Sequence, residues 1–309
     1  MEHQLFYLHA LSALHAGTGQ GVGAIDLPIA RARATQLPLL PGSSLKGVLR
    51  DQASQTSTRD NPNIAALFGP DNTAMDSPHA GALVVGDANL LILPVRAFCG
   101  VVAFATCPFI LRRYARDLPA ACRDKLPIPT LDTEAALPES SVLQYSVKGA
   151  GQQLLLEDLN LSIQPNHTQA HAWGDHLAKA LYPGHSNKDW QAEFVKHFAI
   201  LPDNVFSFLA DTATEIRARV RIDPHTRTVA NGALWYEENL PAESVLWGML
   251  AFSPSRSSNS SDSAQDMQTK FKTCFSQPEQ LMQLGGKHTV GRGLCRLVLS
   301  AAHTEGEQK

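Results

Sequence analysis

Asp26 is the only acid between Glu2 and Asp51, and it closes a run, HAGTGQGVGAID, that places glycine at 17, 19, 21 and 23. Removing so many Cβ atoms from one stretch lets backbone amides approach a ligand closely, which is what a phosphate cradle requires. A carboxylate beside such a loop can orient a nucleophile, accept a proton or hold a cation, although aspartate also forms turns and ion pairs. His15, at the other end of the run, can move a proton or satisfy a strand end. The glycine run is open to a plainer reading, a flexible connection between strands. Two nucleotide-binding readings fail. Gly19, Gly21 and Ala24 trace GxGxxA, but Asp26-Leu27-Pro28 follows where that fingerprint needs a helix, and Pro28 opposes a helix interior. No Gly-Lys pair is preceded by glycine at the spacing of a Walker loop.

Three further stretches carry cations. In PGSSLKGVLR, Ser43 and Ser44 stand at a helix start with Lys46 and Arg50 one and two turns in, so free amides lie beside a lysine; an ordinary capped helix would read the same. In GGKHTVGRG, Gly286, Lys287, His288 and Arg292 form a second glycine-rich basic loop. A helix C-cap accounts for its first glycines and leaves the last pair unexplained. Arg31 and Arg33, with Lys46 and Arg50, meet no acid between Ile29 and Arg50, and Lys287, Arg292 and Arg296 are likewise unopposed. Arg217, Arg219 and Arg221 alternate so as to project from one strand face, an arrangement that suits a polyanion, although a basic patch can also be a solvated face. The net charge of −3 weighs against a free-standing, nonspecific nucleic-acid binder.

The elements that must position these residues follow from periodicity and breakers. Gln4–Leu14 reads as a strand, LKGVLRDQAS as a helix, and Ala82–Leu93 and Val95–Thr106 as strands separated by Pro94. Phe109–Leu118 reads as a helix, Gln153–Gln164 as a strand and Lys188–Phe198 as a helix. Prolines 119, 127, 129 and 138 mark about 119–150 as an irregular insertion. Thr214–Ile222 begins a long hairpin arm, Val245–Phe252 is a strand, Gln265–Leu284 the last helix and Leu294–Ala301 the last strand. The order predicts an α+β fold with helices on one side of a sheet, most simply a ferredoxin-like core with insertions. With 309 residues, 44% hydrophobic and 18% charged, the chain can bury a large core. No apolar run reaches the roughly 18 residues of a membrane span, and the start lacks a signal-peptide pattern, so a cytoplasmic protein without membrane partners is expected. Five cysteines without a CxxC pair suggest reduced thiols, with neither a disulfide framework nor structural zinc.

HAGTGQGVGAIDLPIAR, PGSSLKGVLRD, ATEIRARVRID with GALWYEENLP, and GGKHTVGRGLCR, taken in order along nearly the whole chain, resemble the RAMP superfamily of CRISPR proteins. More narrowly, they resemble the repeated backbone subunit of Cmr-type (type III-B) RNA-guided effectors. The resemblance implies one domain over 1–309 with a modified ferredoxin-like (RRM-like) palm, a lid at about 119–150, a thumb β-hairpin at about 214–241 and a mobile serine-rich loop at 253–266. It implies a filament of stacked copies on a guide (CRISPR) RNA, with target single-stranded RNA and other Cmr-complex subunits as partners; sharing affinity among copies accounts for the modest charge. It makes Asp26 the catalytic and metal-holding residue of an endoribonuclease that uses Mg²⁺ or a similar divalent cation. The implied reaction is attack of a 2′-hydroxyl on the adjacent phosphate, leaving a cyclic phosphate. His15, Tyr236, Glu237 and Glu238 are the companions it suggests. The RNA-binding set is Gly17, Gly19, Gly21, Arg31, Ser43, Ser44, Lys46, Arg50, Arg217, Arg219, Gly286, Lys287 and Arg292. Two other readings stay open: a non-catalytic guide-binding scaffold, and a stand-alone, metal-independent guide-processing RAMP ribonuclease.

Overall fold

The computed structural model describes residues 1–19, 25–56, 62–70, 79–149, 151–164, 168–257, 260–277 and 279–300. Gly21 and Gly23 lie outside them. In chain order the elements are β1 (Glu2–Ala10), β2 (Leu39–Leu40), α1 (Gly42–Thr56), α2 (Pro62–Phe68), β3 (Leu83–Val85), β4 (Ala88–Arg96) and β5 (Val102–Thr106). There follow α3 (Pro108–Asp117), α4 (Ala120–Arg123), β6 (Gln144–Val147), β7 (Gly151–Leu156), β8 (Leu159–Ser162), α5 (Thr168–Leu181), α6 (Lys188–His197), β9 (Phe198–Ile200) and α7 (Asp203–Thr212). Last come β10 (Glu215–Ile222), β11 (Val229–Asn239), β12 (Val245–Phe252), α8 (Ala264–Cys274), β13 (Glu279–Gln283) and β14 (Leu294–Leu299). The fold is α+β, as the element order predicts.

Two compact units form. The first comprises Met1–Gly17, Leu39–Asn89 and Leu246–Lys309. In it β1 pairs antiparallel with β14, β14 with β13, and β12 with β3. Leu45, Leu49 and Ala53 recur every four residues on α1 and are all fully buried, which turns Lys46 and Arg50 toward the edge of that face. A Cβ on Gly42 would come within 2.3 Å of the Val85 carbonyl, so glycine there lets α1 start hard against β3. Phe271 of α8 packs on Phe252 of β12 with ring centroids 5.4 Å apart.

The second unit comprises Thr18–Pro38 and Leu90–Val245. Its Leu90–Arg96 part of β4 pairs antiparallel with β5, which pairs in parallel with β9. Buried Trp173, Leu177 and Phe198 form a core with Phe194, which stacks on Phe104 at 5.0 Å. β6, β7 and β8 make a separate antiparallel sheet, and β10 and β11 form a two-stranded arm.

Several element boundaries depart from the sequence reading. Pro94 does not separate two strands; it sits inside β4 opposite Phe104, and the chain turns later, at Phe98–Val101. Gln153–Gln164 is a hairpin, because Glu157 adopts a positive φ of 47° between β7 and β8. The helix expected over Gln265–Leu284 stops at Cys274, and Glu279–Gln283 is strand β13. Pro278 disfavours helical backbone at Gln277, and β13 gains a partner in β14. β1 ends at Ala10, short of Leu14. Helices α2, α5 and α7 were not anticipated.

Candidate nucleic-acid interface

In the second unit the chain from residue 25 onward runs alongside the base of the β10–β11 arm. Leu27 forms a parallel bridge with Glu237: its N–H donates to Tyr236 O at 3.1 Å and its carbonyl accepts from Glu238 N–H at 3.0 Å. Thr18 N–H donates to Pro28 O at 3.3 Å, which closes the loop that carries Asp26. Asp26 is exposed, and its Oδ2 accepts from Tyr236 N–H at 2.7 Å. No partner is found for Oδ1 among the described residues, so one carboxylate oxygen is anchored and the other is available.

The neighbouring acids are committed to structure. Glu237 is 1% exposed; its Oε1 accepts from Trp235 Nε1 at 2.8 Å and its Oε2 from Arg219 Nε at 3.2 Å. Glu238 accepts from Ile29 N–H at 3.1 Å and from Arg31 at 2.6 Å. Arg31 also donates to Gln36 O, Ala210 O and the Asp211 carboxylate. This corrects the reading of Arg31 as unopposed: acids from distant strands and helices meet it. Arg217 and Arg219 do share a face of β10, but Glu215 pairs with the first at 2.6 Å and Glu237 with the second. The row is partly neutralised by carboxylates of its own arm. The opposite face exposes Ile216, Val220, Leu234 and Tyr236, the last at 42%.

These acids do not fit a resident metal. Among the described residues no three His, Cys, Asp or Glu are arranged to hold an ion. Asp26 offers one free oxygen, and both oxygens of Glu237 and of Glu238 are already hydrogen-bonded.

In the first unit the chain that leads into the first glycine run is zipped to the second glycine-rich loop. Leu11 N–H donates to Leu294 O at 2.8 Å, Gly293 N–H to Ala13 O at 2.9 Å, and Gly286 N–H to His15 O at 2.9 Å. His15 is buried, and its imidazole fills space that side chains would otherwise take. A Cβ on Gly17 would lie 2.6 Å from His15 Nε2, and one on Gly286 3.3 Å from Cδ2. The loops thus need glycine partly to admit one histidine. Gly17 and Gly19 are exposed. Lys287 takes a positive φ of 65°, and Arg292 is buried with no partner for its Nε among the described residues. Arg296 is not unopposed either: it meets Glu279 at 3.1 Å. Ser43 and Ser44 are exposed on the first turn of α1, and Lys46 Nζ donates to Leu83 O at 2.8 Å. Partial burial, then the charges of Arg256 and Arg50, hold the Lys46 ammonium below its ordinary pKa.

Sequence reasoning missed Trp235, Asp211 and Arg256. Trp235 was legible in principle, two residues before Glu237 on the same strand face; Asp211 meets Arg31, and the charge of Arg256 acts on Lys46, only through tertiary folding.

An α+β fold with glycine-lined, cation-bearing loops is what a RAMP protein provides, and the chain belongs to the RAMP superfamily, whose sequence model matches residues 7–296. Two relatives that it matches over nearly their full length are Cmr4 proteins. It is 34% identical, over 99% of this chain and 98% of the relative, to the CRISPR system Cmr endoribonuclease Cmr4 of Pyrococcus furiosus. It is 25% identical, over 94% of each, to the CRISPR system CMR subunit Cmr4 of Saccharolobus solfataricus. A crystal structure of oligomeric Cmr4 from Pyrococcus furiosus superimposes with a TM-score of 0.73 at 27% identity, covering 98% of this chain and 100% of that one. A chain of the type III-B Cmr-beta complex bound to cognate target RNA shares the fold, with a TM-score of 0.70 at 19% identity and 97% of each chain covered. Among the described residues no helix is long and apolar enough to cross a membrane.

Proposed function

We propose that this Cmr4 homologue binds guide RNA as a stacked backbone subunit of a type III-B effector and cuts the paired target RNA at Asp26. The observation that carries the catalytic half is the state of that side chain: exposed, tethered through Oδ2 to a backbone amide, with Oδ1 free among the described residues. A carboxylate held this way keeps its position without surrendering its reactive oxygen.

In the reaction proposed, a target 2′-oxygen forms a bond to the adjacent phosphorus while the bond from phosphorus to the 5′-oxygen breaks. The 2′-hydroxyl proton passes to solvent water and a water molecule protonates the leaving 5′-oxygen, giving a 2′,3′-cyclic phosphate and a 5′-hydroxyl. Asp26 Oδ1 orients the 2′-hydroxyl by accepting its hydrogen bond. The arm of β10 and β11 supplies the in-line geometry by holding the target strand splayed, with its exposed Ile216, Val220, Leu234 and Tyr236 against the bases. Glu237 and Glu238 act as the scaffold that fixes Tyr236 N–H, and Arg31 and Arg219 act through them. The basic loops of the first unit, with Gly17, Gly286, Lys287, Ser43, Ser44, Lys46 and Arg50, take the guide backbone.

A divalent cation carried by RNA phosphates and water would have Asp26 as its single protein ligand and would offset the charge that develops on the phosphate. The guide and target RNAs, neighbouring copies and other Cmr subunits are the proposed partners. The test is target cleavage by a complex reconstituted on guide RNA. Products spaced at regular intervals support a stacked catalytic subunit; intact target bound by a fully assembled complex would favour the scaffold reading.

A further inference from the structure

Arg292 is 9% exposed, its Nε is sealed from solvent, and its guanidinium has no hydrogen bond or ion pair among the described residues. Other poorly exposed arginines are met by carboxylates: Arg296 by Glu279 at 3.1 Å, Arg31 by Glu238 at 2.6 Å and Arg219 by Glu237 at 3.2 Å. A cation taken out of water without a counter-charge destabilises the fold that holds it. The backbone that carries Arg292 is nonetheless fixed. Its N–H donates to Lys287 O at 3.3 Å, its carbonyl accepts from Gln283 Nε2, and the next N–H, of Gly293, donates to Ala13 O at 2.9 Å. Of the three guanidinium nitrogens only Nε is sealed, so the outer edge of the group stays open to a ligand.

The approach to this loop is lined by glycine. A Cβ on Gly17 would lie 2.6 Å from His15 Nε2 and one on Gly286 3.3 Å from His15 Cδ2, so both glycines border the same buried imidazole. Backbone without side chains, next to a cation, lets a sugar-phosphate strand come close. The planar fork of an arginine matches two oxygens of one phosphodiester. We infer that Arg292 is a buried charge kept for one phosphate of single-stranded RNA, and that holding it without a counter-charge lowers the stability of the free chain. The inference rests on the RNA-binding reading above and deepens it: the exposed loop residues named there form a surface track, whereas Arg292 is a single inward-turned receptor whose binding role and stability cost have opposite signs.

The test compares the full native chain with Arg292→Met, which keeps an unbranched stem and removes the charge, and with Arg292→Lys. Two quantities are measured: the melting temperature without RNA, and the fluorescence anisotropy of a labelled single-stranded RNA oligonucleotide titrated over a range of salt. Arg292→Met is expected to melt no lower than the native chain and yet to bind about fivefold more weakly at 0.1 M salt, with a log–log salt slope smaller by about 0.7. Arg292→Lys is expected to keep the slope and bind more weakly than the native chain, because a point charge replaces the fork. An Arg292→Met chain that melts lower, or fails to fold, overturns the inference, since the arginine would then be part of the fold's own support. Unchanged affinity and slope in Arg292→Met overturn it as well, and the RNA-binding reading stands. If the native chain binds no RNA, both fall.

Discussion

Tyr236 donates its backbone N–H, not its phenol, to Asp26 Oδ2 at 2.7 Å across 210 residues of sequence. The bond ties a loop residue to a strand whose own neighbours, Glu237 and Glu238, are buried and locked by Trp235, Arg219, Arg31 and Ile29. The position of Asp26 is therefore set by rigid backbone, while the exposed Tyr236 ring is left over for another purpose.

Replacing Asp26 by Asn keeps an acceptor for Tyr236 N–H and removes the charge; Asp26→Ala removes both. Target cleavage is expected to fall by about a hundredfold or more in each, with guide binding retained. Either variant assembling on guide RNA and cutting target at the native rate would sink the assignment.

Glu238→Ala removes the buried one of the two carboxylates that meet Arg31 and leaves Ile29 N–H without its acceptor. Breaking such a buried pair costs about 3 kcal/mol, so the melting temperature should drop by several degrees. A double-mutant cycle with Arg31→Ala checks the coupling; additive losses would show that the two residues do not act together.

Gly293 has a φ of +78°, and a Cβ there would lie 1.8 Å from the Leu284 carbonyl. Gly293→Ala is expected to destabilise the chain by more than about 3 kcal/mol, or to prevent folding, because backbone cannot step aside. Gly19 has a φ of +96° but nothing among the described residues within 4 Å of an added Cβ, so Gly19→Ala should cost only the conformational strain, about 1 kcal/mol. Comparing urea midpoints of the two variants separates packing from conformation.

Chelation tests the cation. With the divalent ion carried by the RNA, EDTA should abolish target cleavage and leave the melting temperature of the free chain unchanged, since no cluster of metal ligands is found among the described residues. Cleavage that persists in EDTA would favour the metal-independent RAMP ribonuclease.

Burial pushes the Cys295 thiol up to about 12 and raises that of Cys107 as well. At pH 8 an alkylating reagent should label the half-exposed Cys99 and Cys122 well before these two, as measured by mass spectrometry of the digested chain. The sign for stability follows. The folded state holds the Cys295 proton more tightly than the unfolded chain, so its contribution is complete below about pH 9 and is lost as pH rises from there toward 12.

The sequence by itself determined the fold class, the superfamily and the location of the cation-bearing loops, because glycine density, breaker positions and unopposed charge are local properties. It also singled out Asp26, the only acid in its neighbourhood. It did not reveal that Arg31 is clamped by Glu238 and Asp211, that Glu237 is buried under Trp235, or that Arg256 approaches Lys46. The two carboxylates that meet Arg31 lie 180 and 207 positions from it, and a charge looks unopposed in sequence whenever its partner arrives through tertiary folding. The strand at Glu279–Gln283 was hidden for the same reason: only the waiting edge of β14 turns that stretch from helix to strand.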